Sequence, residues 1–192
     1  SSEMTADGTA KVPDPSGRFL RRGAPVPGTG VPVWLEGRRA MPVEVQALVN
    51  VTSAPNPRRV TNGVDSSRVA MILAILERRA GVKVSDKDVY VSTVGGVRLI
   101  EPAADLAIAI AVASAMQDFA VPHEVAAVGE LSLAGEIRPV TMAGQRSAEA
   151  KRLGYTSVVD SDALTLDPAI KQIKALAARA VGHAKLRDVP EF

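Results

Sequence analysis

The sequence predicts an α+β domain, with strands and helices in mixed order. Short β-branched runs bounded by glycine and proline indicate strands, and longer segments with apolar residues at helical spacing indicate helices. A third observation is the stretch 94–115, where a glycine pair and a proline precede an almost wholly apolar helix. A helix without a polar face must be covered on all sides, so we expect strands and later helices to surround it.

Composition suits a single globular domain of ordinary type. The 192 residues are 46% hydrophobic and 23% charged, and the net charge of +2 predicts no strong field for nucleic acid. No run reaches the ~18 consecutive apolar residues of a membrane span, and the N-terminus does not resemble a signal peptide. We therefore expect a cytoplasmic protein with no membrane partner. The absence of cysteine excludes disulfides, thiolate zinc sites and cysteine nucleophiles.

The first third of the chain predicts an arm, a hairpin and a loop. Residues 1–30 are rich in proline and glycine without periodicity, which is typical of a linker or a wrapping arm. Loose alternation over 31–51 predicts a hairpin of two strands that turns at 36–38. The segment 52–62 is rich in proline and asparagine and predicts an exposed loop.

Clear start and stop signals mark the helix that follows. Asp65 or Ser66 is suited to its N-cap, and Gly81 to its end. The later predicted elements are a strand at 89–94, the apolar helix after Pro102, a strand at 125–129, a hairpin turning at Ala134–Gly135, a helix at 143–153, a strand at 155–159 and a helix from Asp167–Pro168 to Gly182.

Two common kinds of site are not predicted. The chain contains no G-x-x-x-x-G-K-S/T motif for binding nucleotide phosphates. His123 and His183 lie far apart and have no neighbours at metal-ligand spacing, so no metal site is expected.

Asp105 is the one charge in the first turn of the apolar helix. Its burial is costly unless it finds a cation or the free N–H groups of a helix end.

Two motifs resemble the proteolytic domain of the Lon family. They are P-A-A-D at 102–105, followed by the apolar helix, and G-E-L-S-L-A-G-E-I-R-P-V at 129–140. The likeness covers about residues 40–165 and implies a Lon proteolytic-domain-like (ribosomal protein S5 domain 2-like) mixed sheet with packed helices. It also implies a nucleophilic serine at the start of the central helix and a catalytic lysine on the helix after the hairpin.

The residues at those two positions cannot support this chemistry. Ala103 stands at the serine position and has no oxygen to attack a carbonyl. Arg146 stands at the lysine position, and its guanidinium stays protonated and cannot act as a general base. We therefore expect no catalytic residue in this chain. Asp105, where the family has glycine, is predicted to form an ion pair with Arg146 that fills the former site. The alternative is that each caps its own helix end or faces solvent.

A narrower resemblance is to the C-terminal Lon-like domain of the bacterial RadA (Sms) family. It rests on P-R-R-V at 57–60, L-E-R-R-A-G at 76–81, G-G-V-R at 95–98 and E-P-A-A-D-L-A at 101–107. The resemblance implies a DNA repair and recombination protein that acts on branched DNA as a hexameric, ATP-dependent helicase. ATP, magnesium and zinc would bind only in its upstream domains, so no cofactor is expected here.

The same resemblance gives the expected organisation of the chain. Residues 1–30 would be an arm leaving the preceding ATPase core, 31–185 the Lon-like domain and 186–192 a C-terminal tail. The domain would be an inert scaffold for a homohexamer and a surface for DNA without sequence preference.

Five basic residues are the candidates for contacts with DNA phosphates, because a loop, a glycine-flanked turn and a helix end would present them freely. They are Arg58, Arg59, Arg98, Lys151 and Arg152. The alternative for each is ordinary exposed charge or an intramolecular pair. For the whole chain, the alternatives are an active peptidase that uses other residues and an oligomerisation module without nucleic-acid contacts.

Overall fold

The computed structural model describes residues 23–187. Most of the predicted arm, and the tail beyond residue 187, therefore lie outside the described residues. The described part contains ten strands and four α-helices. The strands are β1 (Thr29–Gly30), β2 (Val33–Glu36), β3 (Arg39–Pro42), β4 (Val45–Val51), β5 (Arg59–Asn62), β6 (Lys87–Thr93), β7 (Val125–Ala127), β8 (Glu130–Leu131), β9 (Ile137–Arg138) and β10 (Ser157–Val159). The helices are α1 (Ser66–Ala80), α2 (Asp105–Gln117), α3 (Ala143–Arg152) and α4 (Leu166–Arg187).

The largest sheet is mixed and has the strand order β1-β4-β6-β5. Strand β4 is antiparallel to both β1 and β6, whereas β5 runs parallel to β6. Three smaller sheets have two strands each: β2 with β3 and β8 with β9 are antiparallel, and β7 with β10 is parallel. The described elements therefore combine both kinds of pairing with packed helices.

Helix α1 begins and ends where its capping residues predict. The carboxylate of Asp65 accepts a hydrogen bond from the backbone N–H of Arg68, at 3.0 Å. Gly81 ends the helix in the left-handed conformation, with φ 68°. This conformation costs glycine little because it has no Cβ. The prediction for this helix is confirmed.

Helix α2 is buried along almost its whole length, from Asp105 to Ser114, as its apolar sequence predicts. It contacts strands β1, β4, β7 and β8 and helices α1 and α4. Its alanines allow close approach: a Cβ added at Gly30 of β1 would overlap the carbonyl oxygen of Ala107. Glycine is therefore required at this contact.

The predicted arm enters the fold before its expected end. Gly28 accepts a hydrogen bond from the backbone N–H of Ala47, at 2.7 Å, and its own N–H donates to the hydroxyl of Ser114, at 2.8 Å. Residues 29–30 then form β1 against β4. The sheet thus begins two residues earlier than the predicted boundary at residue 31.

Three other predicted elements differ in the structure. Residues 31–51 form three strands instead of two, because the chain leaves the β2–β3 hairpin and starts β4 in the main sheet. The predicted loop at 52–62 ends in strand β5, whose backbone pairs with β6. Helix α4 continues past Gly182 to Arg187, because a single glycine lowers helix stability by only about 1 kcal/mol.

A second, smaller core lies between the β2–β3 hairpin, α3 and the β7–β10 pair. It contains Ala103, Leu153 and Tyr155 among its buried side chains. Arg146 projects into the same region from α3 and is 5% exposed.

Among residues 23–187, no helix is both long and apolar enough to cross a bilayer.

Candidate functional site

The position predicted for the former nucleophile is closed. Ala103 lies in a short 3-10 turn at 102–104 directly before α2 and is 7% exposed. Its carbonyl oxygen accepts a hydrogen bond from the backbone N–H of Gly129, at 3.0 Å. The residue therefore presents a buried methyl group and no hydroxyl.

The guanidinium of Arg146 is committed to other groups at this site. Nη1 and Nη2 donate to the two carboxylate oxygens of Glu101, at 2.8 and 3.1 Å. Nη1 also donates to the carbonyl oxygen of Val33, at 2.7 Å, and Nε to that of Thr141, at 2.9 Å. A group that donates in all these directions and keeps its proton cannot serve as a base.

Asp105 forms a separate pair. Its side chain is 1% exposed and accepts hydrogen bonds from Nε of Arg68, at 2.8 Å, and from Nη2 of the same residue. The backbone N–H of Leu131 donates to it at 3.0 Å. The hydrogen bond to Asp105 is the largest influence on Arg68, and it raises the pKa of that guanidinium. The buried carboxylate thus has the cation that its position requires.

The predicted ion pair between Asp105 and Arg146 is wrong. Each residue has a partner that the sequence did not indicate: the first turn of α1 supplies Arg68, and the residue before the 3-10 turn at 102–104 is Glu101. Sequence analysis missed both partners. A complementary charge near each helix start was the available signal, but choosing the partner requires the tertiary arrangement.

The predicted phosphate-binding residues fall into two groups, and the first lies along β5. Arg58 is exposed, whereas the guanidinium of Arg59 donates to the carbonyl oxygens of Val84, at 2.9 Å, and Lys87. Arg59 therefore fastens β5 to the segment that leads into β6. Arg98 is exposed in a polar cleft of about 520 Å³ between the end of β5 and the start of α1.

The second group lies at the C-terminal end of α3, which packs against β2, β3 and β10. Lys151 is exposed. Arg152 forms two hydrogen bonds with the carboxylate of Glu149, both 3.0 Å long. These bonds are the main reason that the pKa of Glu149 lies below its ordinary value. The structure thus places the five candidates on two groups of elements.

Comparison with known proteins identifies one family model and a set of close relatives. The model described as subunit ChlI of Mg-chelatase matches residues 62–163. A DNA repair protein RadA from Mycolicibacterium smegmatis is 49% identical over 177 residues, which cover 92% of this chain and 37% of that protein.

Relatives from other bacteria give the same result. The proteins named DNA repair protein RadA from Pseudomonas aeruginosa and Escherichia coli are 44% and 43% identical over 157 residues, or 81% of this chain. These matches cover 35% and 34% of the two relatives. The chain therefore spans about a third of the length of the curated relatives it matches.

Proposed function

Because the chain belongs to the RadA family of DNA repair proteins, and through residues 62–163 to the ChlI family, we propose that it is a non-catalytic, Lon-like domain acting in DNA repair and recombination. In this proposal the whole protein is an ATP-dependent helicase that moves DNA branches. The domain holds its subunits together as a hexamer and contacts duplex DNA.

The observation that carries the non-catalytic part is the state of Arg146. Its guanidinium is bound to Glu101 and to two backbone carbonyls, and Ala103 offers only a methyl group. Peptide hydrolysis by a serine–lysine pair needs a hydroxyl and a base that can take its proton. Neither group is available at these positions, which supports a binding or structural role for the domain.

Exposed cations support the contact with DNA. Arg58, Arg98 and Lys151 have exposed side chains, and Arg152 keeps part of its surface accessible beside Glu149. Such residues suit phosphate contacts that depend on salt and ignore sequence. Arg59 suits this role less well, because its guanidinium already binds backbone carbonyls.

The outer face of the main sheet supports assembly. Val60, Tyr90 and Leu48 are cross-strand neighbours in one row, and Val60 and Leu48 are 48% and 59% exposed. The next row contains Asn62 and Ser92. An exposed apolar row with a polar row at its edge suits an interface that has an apolar core and a polar rim. In this proposal, a second copy of the chain covers it.

One set of measurements on the purified chain tests the proposal. We expect binding to a labelled 20-base-pair duplex that weakens steeply with salt, a mass above that of a monomer by light scattering, and no cleavage of an unfolded polypeptide. Cleavage that is lost after a substitution in the chain's own cleft would support a peptidase instead. Assembly without DNA binding at any salt concentration would leave only the oligomerisation role.

A further inference from the structure

We propose that the outer edge of β5 binds an extended segment of a partner protein as an added strand, and that this segment carries apolar side chains and a carboxylate. The site is a cleft of about 520 Å³ beside β5, which we call the edge cleft. It is lined by Arg59 of β5, by the side of α1 that carries Ala70, Ala74 and Arg78, and by Val84 and Ser85. This binding would be additional to the proposed contacts with DNA and between subunits.

Strand β5 is the last strand of the main sheet, so no described strand pairs with its outer edge. On its inner edge, the carbonyl oxygen of Arg58 accepts a hydrogen bond from the backbone N–H of Val89, at 2.9 Å. Backbone groups alternate in direction along a strand, so those of Arg59 and Thr61 point away from β6. Within residues 23–187 these groups have no hydrogen-bond partner. A row of unpaired N–H and C=O groups is what an added strand requires.

Helix α1 forms an apolar wall of the edge cleft. Ala70 and Ala74 lie one turn apart on it and are exposed, and Leu73 lines the cleft between them. Their small side chains leave room beside the strand. Successive side chains of an added strand point to opposite faces of the sheet, so every second one would face α1. Apolar side chains at these positions would be removed from water.

The opposite wall of the edge cleft is held in place by hydrogen bonds. The carboxylate of Glu77 accepts bonds from the backbone N–H groups of Val84 and Ser85, both 2.9 Å long. The guanidinium of Arg59 donates to the carbonyl oxygen of Val84, also at 2.9 Å. These bonds tie the segment after α1 to the helix and to β5. A cleft that is already ordered loses less conformational entropy when it binds a ligand.

The charge of the edge cleft favours a ligand carboxylate. Two arginines, Arg59 and Arg78, line it together with one carboxylate, that of Glu77, which is bound to backbone N–H groups. Arg78 is exposed, and its guanidinium has no hydrogen bond or ion pair within the part of the chain that the structure describes. Its donors are therefore available for a charge-assisted hydrogen bond to a carboxylate.

The same edge is poorly suited to pairing between two copies of this chain. Two β5 strands side by side would bring four guanidinium groups, those of Arg58 and Arg59 in each copy, into one short ladder. Like charges at such distances repel each other. An acidic segment would replace this repulsion with attraction, so the structure favours a segment of a different protein as the added strand.

The test uses a fluorescein-labelled peptide, S-T-V-T-V-V-E-T-S, whose binding to the 192-residue chain is followed by fluorescence anisotropy. When the peptide is extended, two valines and the glutamate lie on one face. We expect saturable binding that weakens about threefold when glutamine replaces the glutamate. N-methylation of every second amide, made in both phases, should weaken binding at least about tenfold in one phase and little in the other. Only every second amide of an added strand faces β5.

Variants of the chain assign the contacts. Arg78→Ala should abolish the preference for the glutamate peptide, whereas Arg179→Ala removes the same charge from an exposed position of α4 and should keep it. Thr61→Pro removes an outward N–H of β5 but no bond to β6, and should weaken binding about fivefold. Thermal unfolding by circular dichroism establishes that each variant is folded. If Thr61→Pro does not fold, Arg78→Ala and the methylated peptides decide the question.

Several results would overturn the inference. No saturable binding at about 1 mM peptide would mean that the arginines of β5 only keep its edge unpaired. Equal losses in the two methylated phases would exclude strand addition, and a glutamate preference that survives Arg78→Ala would exclude the edge cleft. A lower mass of folded Thr61→Pro by light scattering would show that a second copy occupies the edge. None of these results bears on the proposed contact with DNA, which the duplex titration tests separately.

Discussion

Two arginine–carboxylate pairs lie near the start of α2. The carboxylate is the buried member of one pair, and the guanidinium is the buried member of the other. In the first pair the Asp105 carboxylate is buried at 1% exposure, and Arg68 is 30% exposed. In the second the side chain of Arg146 is buried, at 7% exposure, and that of Glu101 is 27% exposed. Each pair thus joins one charge that is removed from water to a partner that water still reaches.

This difference determines how each region should respond when the accessible partner is lost. A buried charge without its partner is strongly destabilising. A carboxylate can relieve that cost by taking up a proton, whereas a guanidinium cannot lose one. The loss of Glu101 should therefore cost more than the loss of Arg68, because the buried guanidinium has no neutral form to adopt.

The largest effect is expected from Glu101→Ala. It leaves the buried Arg146 with only backbone carbonyls, so the free energy of unfolding at pH 7 should fall by about 3 kcal/mol. Urea unfolding followed by circular dichroism measures it. The double variant Glu101→Leu with Arg146→Met should recover most of the loss, because no charge then remains buried. A loss below about 1 kcal/mol would mean that the carbonyls alone sustain the cation.

A smaller effect is expected from Arg68→Ala. The buried Asp105 carboxylate keeps the hydrogen bond from the backbone N–H of Leu131, so the free energy of unfolding at pH 7 should fall by about 2 kcal/mol. The same urea titration measures it. In an Asp105→Asn background, where no carboxylate is left without its cation, Arg68→Ala should cost much less. A loss as large as that of Glu101→Ala would contradict the difference between the two regions.

The smallest effect concerns Tyr155, in the core beside Arg146. Burial raises the pKa of its phenol to about 12, with a smaller contribution from Glu44, whereas the unfolded value is 10.0. A raised pKa means that the associated stability is complete below pH 10 and is lost as the pH rises toward 12. At pH 11 the unchanged chain should have lost roughly 1 kcal/mol more than Tyr155→Phe. Equal losses would show that water reaches this core.

Local signals predicted the elements that depend on local chemistry. Asp65 and Gly81 carry their own capping chemistry, so α1 was predicted almost to the residue. The apolar sequence of α2 requires burial whatever covers it. By contrast, β5 is a strand because its backbone pairs with β6. The polar sequence of residues 52–62 does not indicate this pairing with a distant part of the chain. The Lon-like fold and the contacts with DNA stay predictions.

In the candidate site, too, the sequence could predict some features and not others. That the side chains at positions 103 and 146 carry neither a hydroxyl nor an amine is evident from the sequence alone, whereas their correspondence to a serine–lysine pair stays a prediction. The partners of Asp105 and Arg146 could not, since several opposite charges were equally compatible with the sequence. For the same reason, the sequence predicted the helix that carries Gln145 and Glu149 but could not show that the Arg38–Ala40 turn is hydrogen-bonded to them.

The attachment of Gly28 and Gly30 to α2 has a mechanical consequence. The chain enters the sheet with Gly28 bound to the hydroxyl of Ser114 near one end of that helix and Gly30 against the backbone of Ala107 near the other. A displacement of the chain at Gly28 would therefore displace the central helix as well, because one hydrogen bond and one close backbone contact join the two segments.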